Sequence, residues 1–115
     1  MKVNLIRKAS IEEFILQNAR SKSSLTIFLL VIKAADWNTP EDIKSTFAKK
    51  ADIICHGERV VFDVGGGTFR IICGLNFMKT VVYLYIKFIG THAEYDKLCH
   101  ARKKETGVCD VEMYK

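Results

Sequence analysis

The chain has 115 residues, enough for one domain and too few for a deep cleft between two. Apolar residues make up 49% and charged residues 27%, so a true core is available and intrinsic disorder is excluded as a general state. Eighteen Lys and Arg against 13 Asp and Glu give a formal charge of +5, which suits a polyanionic partner without requiring one.

Val3 to Ile6 reads as a first short strand. Ser10 with Glu13 three residues later predicts a capped helix whose inner face is Ile11, Phe14, Ile15 and Ala19. Ser21 to Ser24 is a polar break, followed by a second helix with Leu25, Phe28, Leu29 and Ile32 as its apolar stripe. Thr39 as N-cap, Pro40 at the first helical position and Asp42 at the third start another short helix, aimed inward by Ile43 and Phe47. Arg59–Val64, Phe69–Leu75 and Val81–Ile89 read as an antiparallel meander, the first turn made by Gly65-Gly66-Gly67. Thr91 and Glu94 form a further capping box at a C-terminal helix. The predicted order is β-α-α-α-β-β-β-α. It implies an α+β domain with an N-terminal helical hairpin on one face of a twisted antiparallel sheet and a short C-terminal helix. From about His100 the chain is charged and irregular, and residues 99–115 are expected to be a loosely ordered tail beyond a domain at 1–98.

Alternation along the strands assigns side chains to two faces. Val60, Phe62 and Val64, then Phe69, Ile71, Cys73 and Leu75, then Val82, Leu84, Ile86 and Phe88, should meet the helices. The opposite face then carries Arg59, Asp63, Arg70, Tyr83, Tyr85 and Lys87. Cations interleaved with aromatics suit single-stranded RNA, whose phosphates pair and whose bases stack; a solvated charged face has the same composition.

Four cysteines occur, Cys55, Cys73, Cys99 and Cys109, with no C-x-x-C pair and no zinc spacing. Cys73 reads as a core residue, and Cys99 and Cys109 are near enough in sequence to approach each other. The start of the chain has no apolar signal-peptide region, and Leu25–Ile32 is far shorter than the roughly 18 residues that cross a bilayer. A cytoplasmic protein with reduced thiols, no membrane association, no cofactor and no metal is expected. The glycine run opens no helix and is followed by no Lys-Ser/Thr pair, so it reads as a hairpin turn and not as a phosphate-binding loop.

Three stretches carry a family resemblance. Ala34-Ala35-Asp36-Trp37-Asn38-Thr39-Pro40-Glu41-Asp42-Ile43-Lys44 is similar to the A-x-W-x-x-P-x-D-I/V-K stretch of HigB-type toxins in the RelE-like superfamily. Arg59-Val60-Val61-Phe62-Asp63-Val64-Gly65-Gly66-Gly67-Thr68-Phe69-Arg70-Ile71-Ile72 resembles their hairpin signature, and Ala51-Asp52-Ile53 resembles the step before it. Phe88-Ile89-Gly90-Thr91-His92-Ala93-Glu94-Tyr95-Asp96-Lys97-Leu98 resembles their F-I/M-G-T-H-x-E-Y-D-K/R signature. The resemblance spans about residues 3 to 98. It departs at Gly67, where the family has Asn or Asp, and at His56-Gly57-Glu58, so His56 carries no role.

The resemblance implies a RelE-like fold and endonucleolytic cleavage of messenger RNA, usually in the A site of the 70S ribosome. It implies a HigA-like helix-turn-helix antitoxin as partner, through which alone operator DNA would be met. Cleavage without metal uses the 2′-hydroxyl as nucleophile and needs a proton acceptor, a proton donor and a cation on the phosphate. Arg70 offers a planar fork for phosphate oxygens; the same residue could instead be a structural partner of Asp63. His92 suits proton transfer, since imidazoles titrate near neutrality, or it bonds locally at a helix start. Tyr95 would stack a base or donate a proton, or pack as a core tyrosine, and Asp96 would orient His92 or cap the site, or stand as a surface acid. Lys87, Lys97, Tyr85 and Arg59 complete the expected RNA contacts. A non-catalytic RNA- or ribosome-binding regulator, and a degenerate toxin that only binds its antitoxin, are the competing readings.

Overall fold

The computed structural model describes residues 1–102 and 105–112. Strand β1 (Lys2–Ile6) leads at once into helix α1 (Lys8–Gln17), because Arg7 turns the chain in the left-handed region at φ 73°. Ser10 therefore lies inside the first turn, its amide bonded to the Arg7 carbonyl at 3.0 Å, and does not cap the helix as the sequence suggested. Helix α2 (Lys22–Ala34) likewise begins earlier than expected and absorbs most of the polar break. The buried Ser21 hydroxyl donates to the Asn18 carbonyl at 2.6 Å.

Helix α3 (Pro40–Phe47) starts as read. The Asp42 carboxylate accepts the Asn38 and Thr39 amides at 2.7 and 3.1 Å, closing a capping box. Those two backbone donors hold the Asp42 carboxyl below the usual carboxylate range. The buried Trp37 indole donates to Thr46 on the same helix at 2.9 Å.

A four-residue strand, β2 (Ala51–Ile54), precedes the meander and was absent from the predicted order. Ala and Asp have weak strand preference, so pairing with its neighbour, not its own composition, makes it a strand. The meander follows as β3 (Arg59–Val64), β4 (Phe69–Phe77) and β5 (Val81–Thr91). The sheet order is β1-β5-β4-β3-β2. It is antiparallel from β2 to β5, while β1 joins β5 in parallel, Lys2 opposite Val81. The three intervening helices provide the long crossover that a parallel neighbour requires.

The N-terminal helices cover one face. Ile11, Phe14, Leu25, Phe28, Ile32, Trp37 and Ile43 form a single core with Val60, Phe62, Ile71, Cys73, Val82, Leu84 and Ile86. Burial pushes the Cys73 thiol well above its ordinary pKa. The sheet is covered on its other face as well. Val61, Ile72 and Phe88 form a second core with Val108 and Val111, flanked by Tyr95, Leu98 and Cys99 of helix α4 (His92–Arg102). The segment expected to be a loose tail thus includes a 3-10 helix, Glu105–Asp110, with Val108 fully buried. The rest of that tail, residues 103–104 and 113–115, lies outside the described residues.

A bulge explains why Phe88 is on this second face and not with the helices as strict alternation required. The register runs Cys73 opposite Ile86 and then Ile72 opposite Phe88, leaving Lys87 extra. One inserted residue reverses the phase of everything after it. Ile89 takes the core position in place of Phe88.

Phe62 is fully buried, with the Phe47 and Phe28 rings at centroid distances of 4.8 and 5.1 Å. Phe62→Ala should therefore lower unfolding free energy by about 3–5 kcal/mol. Denaturant unfolding followed by circular dichroism measures it, and a loss below about 1 kcal/mol would contradict this placement of the core.

Candidate active site

Thr91 and Glu94 set the start of α4. The Thr91 amide donates to the Glu94 carboxylate at 2.8 Å, and the Glu94 amide to the Thr91 hydroxyl at 3.1 Å, the reciprocal pair the sequence indicated. The His92 amide reaches back to the Thr68 carbonyl at 2.8 Å, which ties the helix start to the glycine hairpin. Gly65, Gly66 and Gly67 adopt φ of 65°, 65° and 91°, a left-handed run that favours glycine in this turn.

Arg70 leaves β4 opposite Gly90 of β5. Its Nε lies 2.9 Å from the Asp63 carboxylate across the β3–β4 pair, and its Nη1 donates to the Gly67 carbonyl at 2.7 Å. The guanidinium is thus held at two of its three nitrogens, with its carbon 5.9 Å from the centre of the Tyr95 ring. Gly90 matters to this corner. A Cβ there would lie 2.7 Å from the Phe88 ring, and that ring packs against Tyr95 at 6.4 Å between centroids.

On the first turns of α4, His92 Nε2 meets the Asp96 carboxylate at 2.9 Å, one helical turn apart, with both side chains about half exposed. Tyr95 lies between them in sequence and at the edge of the second core. Arg70, Tyr95, His92 and Asp96 thus belong to one neighbourhood of strand end and helix start. The Asp63 partnership, treated in the sequence as an alternative to a chemical role, is present and takes only one edge of the guanidinium.

The remaining predicted contacts divide. Tyr85 is half-buried, 6.0 Å from Tyr83 between rings, and the Lys87 ammonium lies 5.9 Å from its ring centre. Lys87 is ion-paired with Glu112 at 2.8 Å. Lys97 is exposed and borders a shallow hollow with Phe88, Leu98, Val111 and Glu112. Arg59 is not an exposed contact. It is buried, with Nη1 donating to the Val108 and Val111 carbonyls at 2.9 and 2.7 Å and Nη2 meeting Glu112 at 2.9 Å. A guanidinium at an outward-facing strand position was read as free; the returning C-terminal segment buries it.

The same segment corrects the cysteine reading. Cys109 is disulfide-bonded to Cys55, 54 residues away, so these two thiols are not free. Cys99, the expected neighbour of Cys109, remains a thiol. Glu112, which engages both Arg59 and Lys87, had no motif or spacing to reveal it.

The profile of the HigB toxin family, described as the RelE-like toxic component of a toxin–antitoxin system, matches residues 21–98. The chain belongs to this family. The mRNA interferase HigB of Escherichia coli O6:H1 is 33% identical over 96 residues, covering 84% of this chain and 91% of that protein. The three motif stretches thus belong to a HigB-type domain, and the toxin–antitoxin family implies an antitoxin partner. No helix among the described residues is long and apolar enough to cross a membrane. The family match ends before the segment that carries Cys109 and Glu112.

The hydrogen bond from Lys87, with the charges of Lys87 and Arg59, holds the Glu112 carboxyl below its ordinary pKa. A lowered folded-state value favours the docked segment above the ordinary carboxylate range and withdraws that support as acid titrates Glu112 through the lowered value. Amide protection around Val111, corrected for intrinsic exchange, should fall on acidification in the wild type and be flatter in Glu112→Gln. Equal pH profiles in the two proteins would contradict this.

Proposed function

We propose that this chain is the toxin of a type II toxin–antitoxin pair and an endoribonuclease that cuts messenger RNA in the ribosomal A site. The reaction is metal-independent attack of a 2′-hydroxyl on the adjacent phosphodiester. The observation that carries this reading is the grouping of Arg70, Tyr95 and the His92–Asp96 pair around one strand end and helix start. The relative named mRNA interferase supports the substrate.

In the reaction the 2′ oxygen loses its proton and bonds to phosphorus, the bond from phosphorus to the 5′ oxygen breaks, and that oxygen gains a proton. The products are a 2′,3′-cyclic phosphate and a 5′-hydroxyl end. His92 moves one of the two protons. Asp96 engages Nε2, so Nδ1 is the nitrogen to face the RNA. Arg70 meets the charge that grows on the phosphate. Asp63 and the Gly67 carbonyl fix Nε and Nη1, and Nη2 holds neither of those contacts. A cation held before the reaction loses little freedom during it. Tyr95 stacks a base or donates the second proton. Lys87, Lys97 and Tyr85 track the strand, as phosphate contacts and a stacking surface.

The antitoxin is a HigA-like helix-turn-helix protein, and operator DNA is contacted through it alone. The site of action is the cytoplasm, where the ribosomes are.

Arg70→Ala should lower cleavage by about 10²–10³-fold and His92→Ala by about 10²–10⁴-fold. The measurement is mapping of new 5′-hydroxyl ends on messenger RNA in a translating extract, with EDTA added while the ribosomes are held intact as the metal control. Wild-type end formation by a folded double variant would overturn the catalytic assignment. Binding without new ends in the wild type would favour a non-catalytic regulator.

A further inference from the structure

The stretch from Val108 to Glu112 is a strap across the sheet face that carries Arg70 and Lys87. Four kinds of contact hold it. Val108 and Val111 are buried against Val61, Ile72 and Phe88. Buried Arg59 donates to the carbonyls of both valines. Glu112 joins Arg59 and Lys87 in one ionic cluster. Cys109 is bonded to Cys55 at the turn beside β3. Lys87 is also one of the proposed RNA contacts, so the strap and the nucleic acid compete for its ammonium. The strap itself presents a carboxylate where the proposed substrate presents phosphates.

We propose that the Cys55–Cys109 disulfide is a redox modification site that controls access of RNA to this face; the idea rests on the nuclease reading above. Both cysteines are partly exposed, within reach of a thiol. A dithiol reductant acts by attack of its thiolate on one of the two sulfurs. The sulfur–sulfur bond breaks, a mixed disulfide forms, and the second thiol of the reductant resolves it. The protein gains two electrons and two protons and ends with two thiols; the reductant ends as its own disulfide. Only non-covalent contacts then hold the strap: the buried valines, the buried Arg59 hydrogen bonds to their carbonyls, and the ionic cluster at Glu112, whose Lys87 contact is exposed. When it lifts, Glu112 leaves Lys87, and the apolar strip of Ile72 and Phe88 beside Tyr95 becomes available to bases. The oxidised chain is the closed, slow form and the reduced chain the open, fast one. A reducing cytosol therefore switches the toxin on, and an oxidising environment keeps it latent.

The test compares oxidised wild type, wild type reduced with a dithiol, and Cys109→Ser. Two readouts are taken: 5′-hydroxyl end formation in a translating extract cleared of small thiols, and affinity for a fluorescent single-stranded 2′-O-methyl oligoribonucleotide that cannot be cleaved. If the strap leaves one oxidised molecule in ten open, reduction raises both rate and affinity by about tenfold. Cys109→Ser should match the reduced protein with or without reductant. Equal oligoribonucleotide affinity in oxidised and reduced wild type would overturn the gate. Tighter binding on reduction with no cleavage in either state would keep the gate and overturn the nuclease. Should Cys109→Ser fail to fold, Cys55→Ser and the reduced wild type give the same comparison.

Discussion

The central constraint on this molecule is that strand β5 lies inside the sheet and must be covered on both faces. It is flanked by β1 and β4; Val82, Leu84, Ile86 and Ile89 enter the first core and Phe88 the second, while Tyr83, Tyr85 and Lys87 stay half-buried. Three N-terminal helices cover one face. Helix α4 and the strap cover the other, which would otherwise expose Val61, Ile72 and Phe88 to water. The extra residue at Lys87 makes this possible, because it transfers Phe88 from the first core to the second.

The candidate site follows from the same strand. Where β5 ends at Thr91 the capping box starts α4, and the His92 amide reaches back to the hairpin beside β4. That hairpin supplies the Gly67 carbonyl that holds Arg70. The guanidinium and the imidazole therefore belong to neighbouring chain segments joined by backbone hydrogen bonds, a more precise support than a flexible loop offers. The Asp63 pair also exploits strand geometry, since Asp63 stands opposite Arg70 in the β3–β4 register.

Much of this was legible because it is local. Capping boxes at Thr39 and Thr91 are written in residues three apart, and both formed. The Arg70 and His92 motifs lie within long family signatures, and the family match includes both. What was not legible depends on contacts distant in sequence. Arg59 has an outward strand position and looks solvent-facing until a segment some 50 residues later packs over it. Cys55 and Cys109 have no shared spacing motif, since only the closed fold brings them together. The bulge at Lys87 left no sign in an apolar run that alternates acceptably in either phase. Strand β2 owes its conformation to β3, and the parallel place of β1 follows from the crossover of three helices.

The convergence of Arg70 and His92 on one phosphodiester is the claim on which the functional account stands. The most direct measurement is nuclear magnetic resonance of the reduced protein with a 2′-deoxy dinucleotide step embedded in an oligoribonucleotide, following the Arg70 Nε and His92 ring signals. The account predicts that both move together and saturate at the same concentration, as one site requires. Perturbation confined to the α1 and α2 surface, with the Arg70 and His92 signals unmoved at saturation, would contradict it.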